Sequence, residues 1–295
     1  MPLEFEPIGL ARQADYLQRL ASCPLASSDY SFINLWGWSR AYGLEWAWDD
    51  DLVWIRQSGP PHLAWAPVGA WDAVNWQRVL CAEGTPTRLT RIPETLADRW
   101  SAALGARVQR IEARGHWDYL YDTQALVDLA GNRYHKKKNL VNQFRRSYPF
   151  AYEPLGPATA AEALALQTDW CTWRDCEAVD TLAAENQVIA RILNHWASLD
   201  GLCGGALRVD DRLVAYTVAE RLTADTLLIH FEKANPDFKG AYQMINHAFL
   251  AHNAEGIRWV NREQDLDDDG LRRAKLSYHP EDFVRKCDVE IRNER

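Results

Sequence analysis

The chain lacks any apolar run near the roughly 20 residues needed to span a bilayer, which argues against a transmembrane segment. Its opening, MPLEFEPIGLARQADYLQRL, lacks the basic stretch and apolar core of a secretory signal, so the expected location is cytoplasmic. None of the six cysteines (Cys23, Cys81, Cys171, Cys176, Cys203, Cys287) falls in a C-x-x-C pair. Reduced, mostly buried thiols are therefore expected, with no metal site and no disulfide framework. G-x-G-x-x-G and G-K-[ST] are both missing, which removes the two common glycine-rich phosphate loops. An excess of positive charge is missing too. At a net charge of −8 the surface as a whole does not suit non-specific nucleic-acid binding.

What is present is globular: 295 residues, 47% hydrophobic and 25% charged. There are fourteen tryptophans, eight of them before residue 80. Core packing accounts for most of these, and ligand stacking stands as the alternative for a few. Helical spacing covers residues 9–22. Residues 44–57, LEWAWDDDLVWIRQ, read as a hairpin around Asp49–Asp51. Helices near 73–83 and 93–104 and strands near 106–111 and 117–122 follow.

The second half repeats this order. Helices at 158–176 and 182–198 precede three strands in GGALRVDDRLVAYTVAERL and DTLLIHFEKA, with Asp210–Asp211 echoing the earlier acidic turn. A helix at 240–254, a strand at 257–261, a short helix at 269–278 and a final strand at 282–291 close the chain. The repetition suggests an internal duplication. The boundary is placed near residue 150, giving halves 1–150 and 151–295. The fold class is α/β (α+β): two mixed, mostly antiparallel sheets flanked by helices.

Three segments carry candidate chemistry. In YHKKKNLVNQFRRSY (134–148), helical spacing puts Val141, Phe144 and Tyr148 on an apolar stripe and Tyr134, Lys138, Asn142 and Arg145 on a polar one. His135, Lys136, Lys137, Lys138, Arg145 and Arg146 make a cationic cluster suited to a phosphate-bearing ligand. A solvated helix face is the alternative. In FEKANPDFKGAYQMINHAFL (231–250) a strand ends near Glu232 and Gly240 opens a helix beside Lys239. Ala241, Met244, Ile245, Ala248 and Phe249 form its buried stripe, with Gln243, Asn246 and His247 on other faces. A glycine at a helix start suits phosphate approach, and it equally suits an ordinary loop.

The third segment is IRWVNREQDLDDDGLRRAKLSYHPEDF (257–283). Asn261, Arg262, Glu263 and Asp265 emerge where a strand ends. Asp265-x-Asp267-x-Asp269-Gly270 begins like a calcium loop, but Leu276 holds the position where a bidentate Glu is required, so it is not an EF-hand. Asp268 or Asp269 is placed to cap a helix carrying Arg272, Arg273 and Lys275 ahead of Tyr278. Acids, bases and a tyrosine this close suit acyl transfer, and a surface ion-pair network is the alternative.

The stretches YHKKKNLVNQF, FEKANPDFKGAYQMIN and VNREQDLDDDGLRRAKLSYHP, in this order, resemble the catalytic C-terminal domain family of phosphatidylglycerol lysyltransferase. The resemblance implies two tandem GNAT-like domains similar to Fem-type peptidyltransferases. It also implies aminoacyl transfer from aminoacyl-tRNA, in characterised members to the phosphatidylglycerol head group. On the family's motif positions fall His135, Lys136, Lys137, Asn139, Glu232, Lys233, Gly240, Asn246, Asn261, Glu263, Asp265, Arg272, Lys275 and Tyr278. Two departures stand out. Asp267 replaces a glycine usual in the family, and the membrane-embedded half of the lysyltransferase is not found in this sequence.

The expected activity is acyl transfer in the C-terminal half. Asp265 or Glu263 is the candidate base, Tyr278 the candidate acid, and Lys239 joins the other cations in holding the donor. No permanently bound cofactor is expected. The donor is aminoacyl-tRNA, engaged through its 3′ end, or acyl-CoA in an N-acyltransferase. The acceptor is an amine or hydroxyl, a lipid head group included. A non-catalytic module for an anionic ligand, and a protein-binding scaffold built on the tryptophan-rich half, are the other readings.

Overall fold

The protein is represented by a computed structural model that describes residues 3–49, 51–59 and 61–292. The middle of the expected Asp49–Asp51 turn, Asp50, lies outside the described residues. By internal contacts the chain forms two compact units. The first runs to Asp118 and adds Gln264–Asp269 and the chain from Phe283 onward; the second takes Tyr119–Glu263 and Gly270–Asp282. Residues 119–150, counted with the N-terminal half in the sequence, are thus part of the second unit.

Each unit contains a mixed sheet. In the first, the hairpin Leu44–Trp48/Leu52–Gln57 pairs antiparallel, with Trp46 opposite Ile55. Leu63–Trp65 then runs parallel to Arg88–Pro93, which pairs antiparallel with Lys286–Ile291, and that strand with Val108–Glu112. The second sheet repeats these relations. Leu202–Val209, Arg212–Arg221 and Thr226–Ala234 form an antiparallel meander. Thr226–Ala234 runs parallel to Trp259–Asn261, which pairs antiparallel with Asp118–Asp122. In both sheets the strand beyond the parallel pair comes from a distant part of the chain, and in the first unit this strand, Lys286–Ile291, makes the unit discontinuous in sequence.

The tryptophan-rich half packs its rings inward. Trp46, Trp54, Trp71 and Trp100 are fully buried, and Trp46 stacks on Tyr16 at 5.8 Å between ring centroids. The helix Phe32–Tyr42 has no clear apolar stripe because Phe32, Ile33, Leu35, Trp36, Gly37 and Ser39 are all buried, and periodicity alone passes over it. The same unit holds a buried ionic cluster in which Lys286 Nζ donates to Asp29 Oδ2 at 2.5 Å and to Asp118 Oδ1 at 2.6 Å.

In the second unit, strand alternation sends Lys233 and Glu232 to opposite faces of the sheet. Tyr216, paired with Lys233, donates to Gln167 on the helix Pro157–Arg174. Lys233 meets Glu185 on the helix Asp180–Asn194 at 2.7 Å. Glu232 faces the helix Ala241–Asn253 instead, accepting from Asn246 Nδ2 at 2.8 Å.

Two expectations about cysteine are corrected. Cys171 and Cys176 form a disulfide: Asp175, at φ 49°, turns the chain back so that their Cα atoms lie 5.0 Å apart. Burial is also less general than expected, since Cys81 is exposed and Cys23 and Cys203 are only partly covered. Among the described residues no helix is long and apolar enough to cross a membrane.

Candidate functional site

The second unit's site begins where its two parallel strands part. Thr226, Leu227 and Leu228 pair with Trp259, Val260 and Asn261, after which pairing stops while the longer strand continues to Ala234. The meander register steps from Ala219–Ile229 to Val218–Phe231, so His230 is a bulge residue at the parting point.

Side chains from four segments meet beyond this parting. Arg262, half-buried just past Asn261, donates through Nη2 to Glu232 Oε2 at 2.5 Å. Its guanidinium lies 4.7 Å from the Tyr278 ring centroid, and Lys137 Nζ lies 4.0 Å from that centroid. Lys275 Nζ donates to the Arg262 carbonyl, and Tyr121 Oη donates to the Lys275 carbonyl at 2.9 Å. Arg262 Nη1 is buried and has no hydrogen-bond partner among the described residues.

Burial sets the proton affinities here. It pushes the Tyr278 hydroxyl up to about 12, against the opposing pull of Arg262. Burial, with Arg262 nearby, brings the Lys137 ammonium down to about 8. For Arg262 desolvation favours the neutral form, but the Glu232 carboxylate outweighs it and holds the guanidinium charged.

Glu263 leaves the strand end in the left-handed region, at φ 57°. Asn261 Oδ1, accepting from the Glu263 amide at 2.8 Å, and the Tyr119 amide, donating to the Glu263 carbonyl at 3.2 Å, hold it there. Asn261 therefore shapes this turn. The Glu263 side chain, 24% exposed, meets His230 Nδ1 at 3.0 Å, and His230 Nε2 lies 3.3 Å from Glu220 Oε1. Both carboxylates raise the imidazole to about 9, against a desolvation that acts the other way.

The remaining candidates lie elsewhere. Asp265 belongs to the first unit and is wholly buried. Its Oδ2 meets Arg114 Nη1 at 3.3 Å, and its Oδ1 accepts from the Asp267 amide at 2.9 Å. Asp267 adopts φ 62°, the conformation that the family's glycine accepts readily. Gly115 makes room for it, since a Cβ there would sit 2.4 Å from Asp267 Oδ2. His135, Lys136 and Asn139 stand exposed on the helix His135–Ser147, with Asn139 Nδ2 2.9 Å from His135 Nε2. Tyr134, expected on the polar stripe, is buried, with His279 edge-on to its ring.

Lys233 lies over the Trp170 ring at 3.8 Å on the far face of the sheet, Lys239 is exposed, and Arg272 is half-buried. Gly240, at φ 89°, starts its helix where a Cβ would meet the Leu140 carbonyl oxygen at 2.4 Å. Its lack of a side chain thus lets two helices approach. Asn246, expected off the helix's buried stripe, is buried against Glu232. Arg262, His230, Glu220 and Tyr121 were not among the expected site residues. Arg262 stood in a quoted motif, but the other three lie in strands whose apolar neighbours mask them.

Residues 21–287 match the family model described as phosphatidylglycerol lysyltransferase, C-terminal. The chain belongs to that family. Its fold superposes on a conserved protein of unknown function from Bacteroides thetaiotaomicron with a TM-score of 0.89, at 29% identity over 98% of this chain and 100% of that one. The family's fold is seen again in L-PGS from Bacillus licheniformis, at a TM-score of 0.66 and 12% identity over 98% of this chain and 94% of that one. FemX gives 0.59 at 8% identity over 99% and 98% of the two chains. The lysyltransferase-family chain therefore has two mixed sheets flanked by helices. An uncharacterised protein of Mycoplasmoides gallisepticum is 24% identical over 178 residues, which make up 59% of this chain and 56% of that protein.

Proposed function

We propose that the chain is an aminoacyltransferase that moves an amino acid from the 3′ end of aminoacyl-tRNA to an amine or hydroxyl acceptor. The observation that carries this reading is the buried Arg262 guanidinium beside Tyr278, with Nη1 lacking a partner where the strands part. Preorganised donors of this kind stabilise charge as it develops on a carbonyl oxygen. In this reading the acceptor attacks the ester carbonyl carbon and its proton passes to Glu263. Arg262 Nη1 donates to the carbonyl oxygen, the C–O bond to the ribose breaks, and Tyr278 protonates the departing ribose oxygen to give the free hydroxyl, after which Glu263 releases its proton to solvent and Tyr278 regains one. A tyrosine raised to about 12 keeps its proton at neutral pH until the leaving group demands it. Lys137 and Lys275, which border the Arg262–Tyr278 cluster, supply positive charge for the donor's phosphates. Asp265 orders the following loop in place of acting as base. A phosphatidylglycerol-like head group and a small amine are both acceptors of suitable chemistry, and no resident cofactor is required.

The test is to incubate the purified protein with a panel of aminoacyl-tRNAs and, separately, acyl-CoAs, each with lipid and amine acceptors. Transfer from aminoacyl-tRNA alone supports the reading. Transfer from acyl-CoA alone replaces it with an N-acyltransferase, and binding without turnover of either donor replaces it with a non-catalytic anion-binding module.

A further inference from the structure

The chain has seven lysines, and six of them are occupied by a partner or by solvent. Lys286 meets Asp29 and Asp118, Lys233 meets Glu185, and Lys275 donates to the Arg262 carbonyl. Lys136, Lys138 and Lys239 stand exposed. Lys137 is different. It is half-buried on the helix His135–Ser147, with Nζ 4.0 Å from the Tyr278 ring centroid. The charge that acts on it is the like charge of Arg262, and among the described residues no carboxylate pairs with it. Glu232, the acid in this cluster, is engaged by Arg262 Nη2 and Asn246. Arg262 lies against the same tyrosine ring, 4.7 Å from its centroid, and carries the partnerless Nη1.

Desolvation and a neighbouring cation are two ways in which a protein turns a lysine into a nucleophile. Both act on Lys137 and bring it to about 8. About a quarter of its amine is then neutral at pH 7.5, against about one part in a thousand for an ordinary lysine. That amine rests on the ring that the candidate oxyanion donor also touches. An ester carbonyl held by Arg262 Nη1 therefore has an amine of the protein itself for a neighbour.

We infer that Lys137 is a self-modification site: when no external acceptor is present, its side-chain amine takes the aminoacyl group from the donor ester and becomes an Nε-aminoacyl lysine. The inference rests on the reading above, in which Arg262 binds the carbonyl oxygen of that ester. The Lys137 nitrogen attacks the carbonyl carbon, an N–C bond forms and the C–O bond to the ribose breaks. The ribose oxygen leaves as a hydroxyl with a proton from Tyr278. The new amide nitrogen releases one proton to solvent, and Tyr278 regains one, so no further reactant is consumed. In its charged form Lys137 still serves the donor's phosphates, and the neutral form is the one that reacts. Lys136 and Lys138, its chain neighbours, share the helix but make no contact with the ring.

The experiment incubates the full chain with aminoacyl-tRNA carrying an isotope-labelled amino acid, with no acceptor added, and maps the label by peptide mass. The expected result is one aminoacyl group per chain, at Lys137, resistant to hydroxylamine as an amide is and an ester is not. Lys137→Arg should lose the label without gaining it at Lys136 or Lys138. Label spread evenly over the exposed lysines overturns the inference. So does an unlabelled protein that transfers to an added acceptor, and in that case the proposed function stands. A protein that turns over no donor removes the proposed function, and a second measurement then decides on Lys137. Limiting acetic anhydride at pH 7.5 needs no catalysis, and it should acetylate Lys137 at least about tenfold faster than Lys136 and Lys138. That ratio upholds Lys137 as the acyl-accepting amine, and a ratio near one overturns it.

Discussion

Arg262 and Glu232 form a hydrogen-bonded ion pair at 2.5 Å, with side chains 17% and 9% exposed. Neither charge is well hydrated, so each depends on the other. Glu232→Gln should destabilise the protein by about 3–5 kcal/mol, because it strands a buried guanidinium. The double variant Glu232→Gln/Arg262→Leu should recover much of that loss while abolishing transfer. Urea midpoints for the two singles and the double form the cycle that checks this, and simple additivity would contradict it.

Lys137 and His230 make opposite contributions to the pH dependence of stability. Burial lowers Lys137 from 10.5 to about 8, so between these values the unfolded chain binds more protons and stability rises with pH. His230 is raised from 6.5 to about 9, so its contribution is complete below 6.5 and is lost as pH climbs through 9. Relative to wild type, Lys137→Met should lose the rise above pH 8, and His230→Gln should lose the fall between 6.5 and 9. Chemical denaturation at pH 6, 8 and 10 separates the two.

Gly240 combines φ 89° with a Leu140 carbonyl oxygen 2.4 Å from where a Cβ would stand. Gly240→Ala should cost more than about 1 kcal/mol, by backbone strain and by pushing apart the helices His135–Ser147 and Ala241–Asn253. Gly9 has nothing within 4 Å of a built Cβ and φ −123°, so Gly9→Ala serves as the control, neutral to stabilising. Thermal midpoints of the two variants make the comparison.

In the first unit, Lys286 is wholly buried between Asp29 and Asp118. Lys286→Met leaves two carboxylates facing each other in the core, and a loss of at least about 3 kcal/mol is expected in a denaturant titration. A smaller loss would mean that Arg91, 2.6 Å from Asp29, suffices as counter-charge.

The sequence carried the elements that have a one-sided periodicity or a strand-length apolar run. The basic helix and the helix opened by Gly240 were legible because one face is more apolar than the other, and the meander because its strands are continuous apolar runs buried on both faces. The helix Phe32–Tyr42, buried nearly all round, and the strand Arg88–Pro93, with Thr90 and Arg91 in polar contacts, gave no such contrast. At the site, Glu232, Glu263 and Tyr278 stood out as polar residues in motif order. Their grouping could not be read, because the parity of Lys233 and Glu232 across a sheet becomes decisive only once the partners on each face are known. His230 was hidden by an apolar strand, since nothing local marks it as a bulge.

The central claim is that the parted strand ends of the second unit host acyl transfer with Glu263 as proton acceptor. The most direct test is single-turnover loss of the aminoacyl ester from aminoacyl-tRNA, with acceptor present, in wild type and Glu263→Gln at matched thermal midpoints. The account predicts a rate at least about a hundredfold lower in the variant, in line with the usual worth of a positioned base. Equal rates in two equally stable proteins would contradict it.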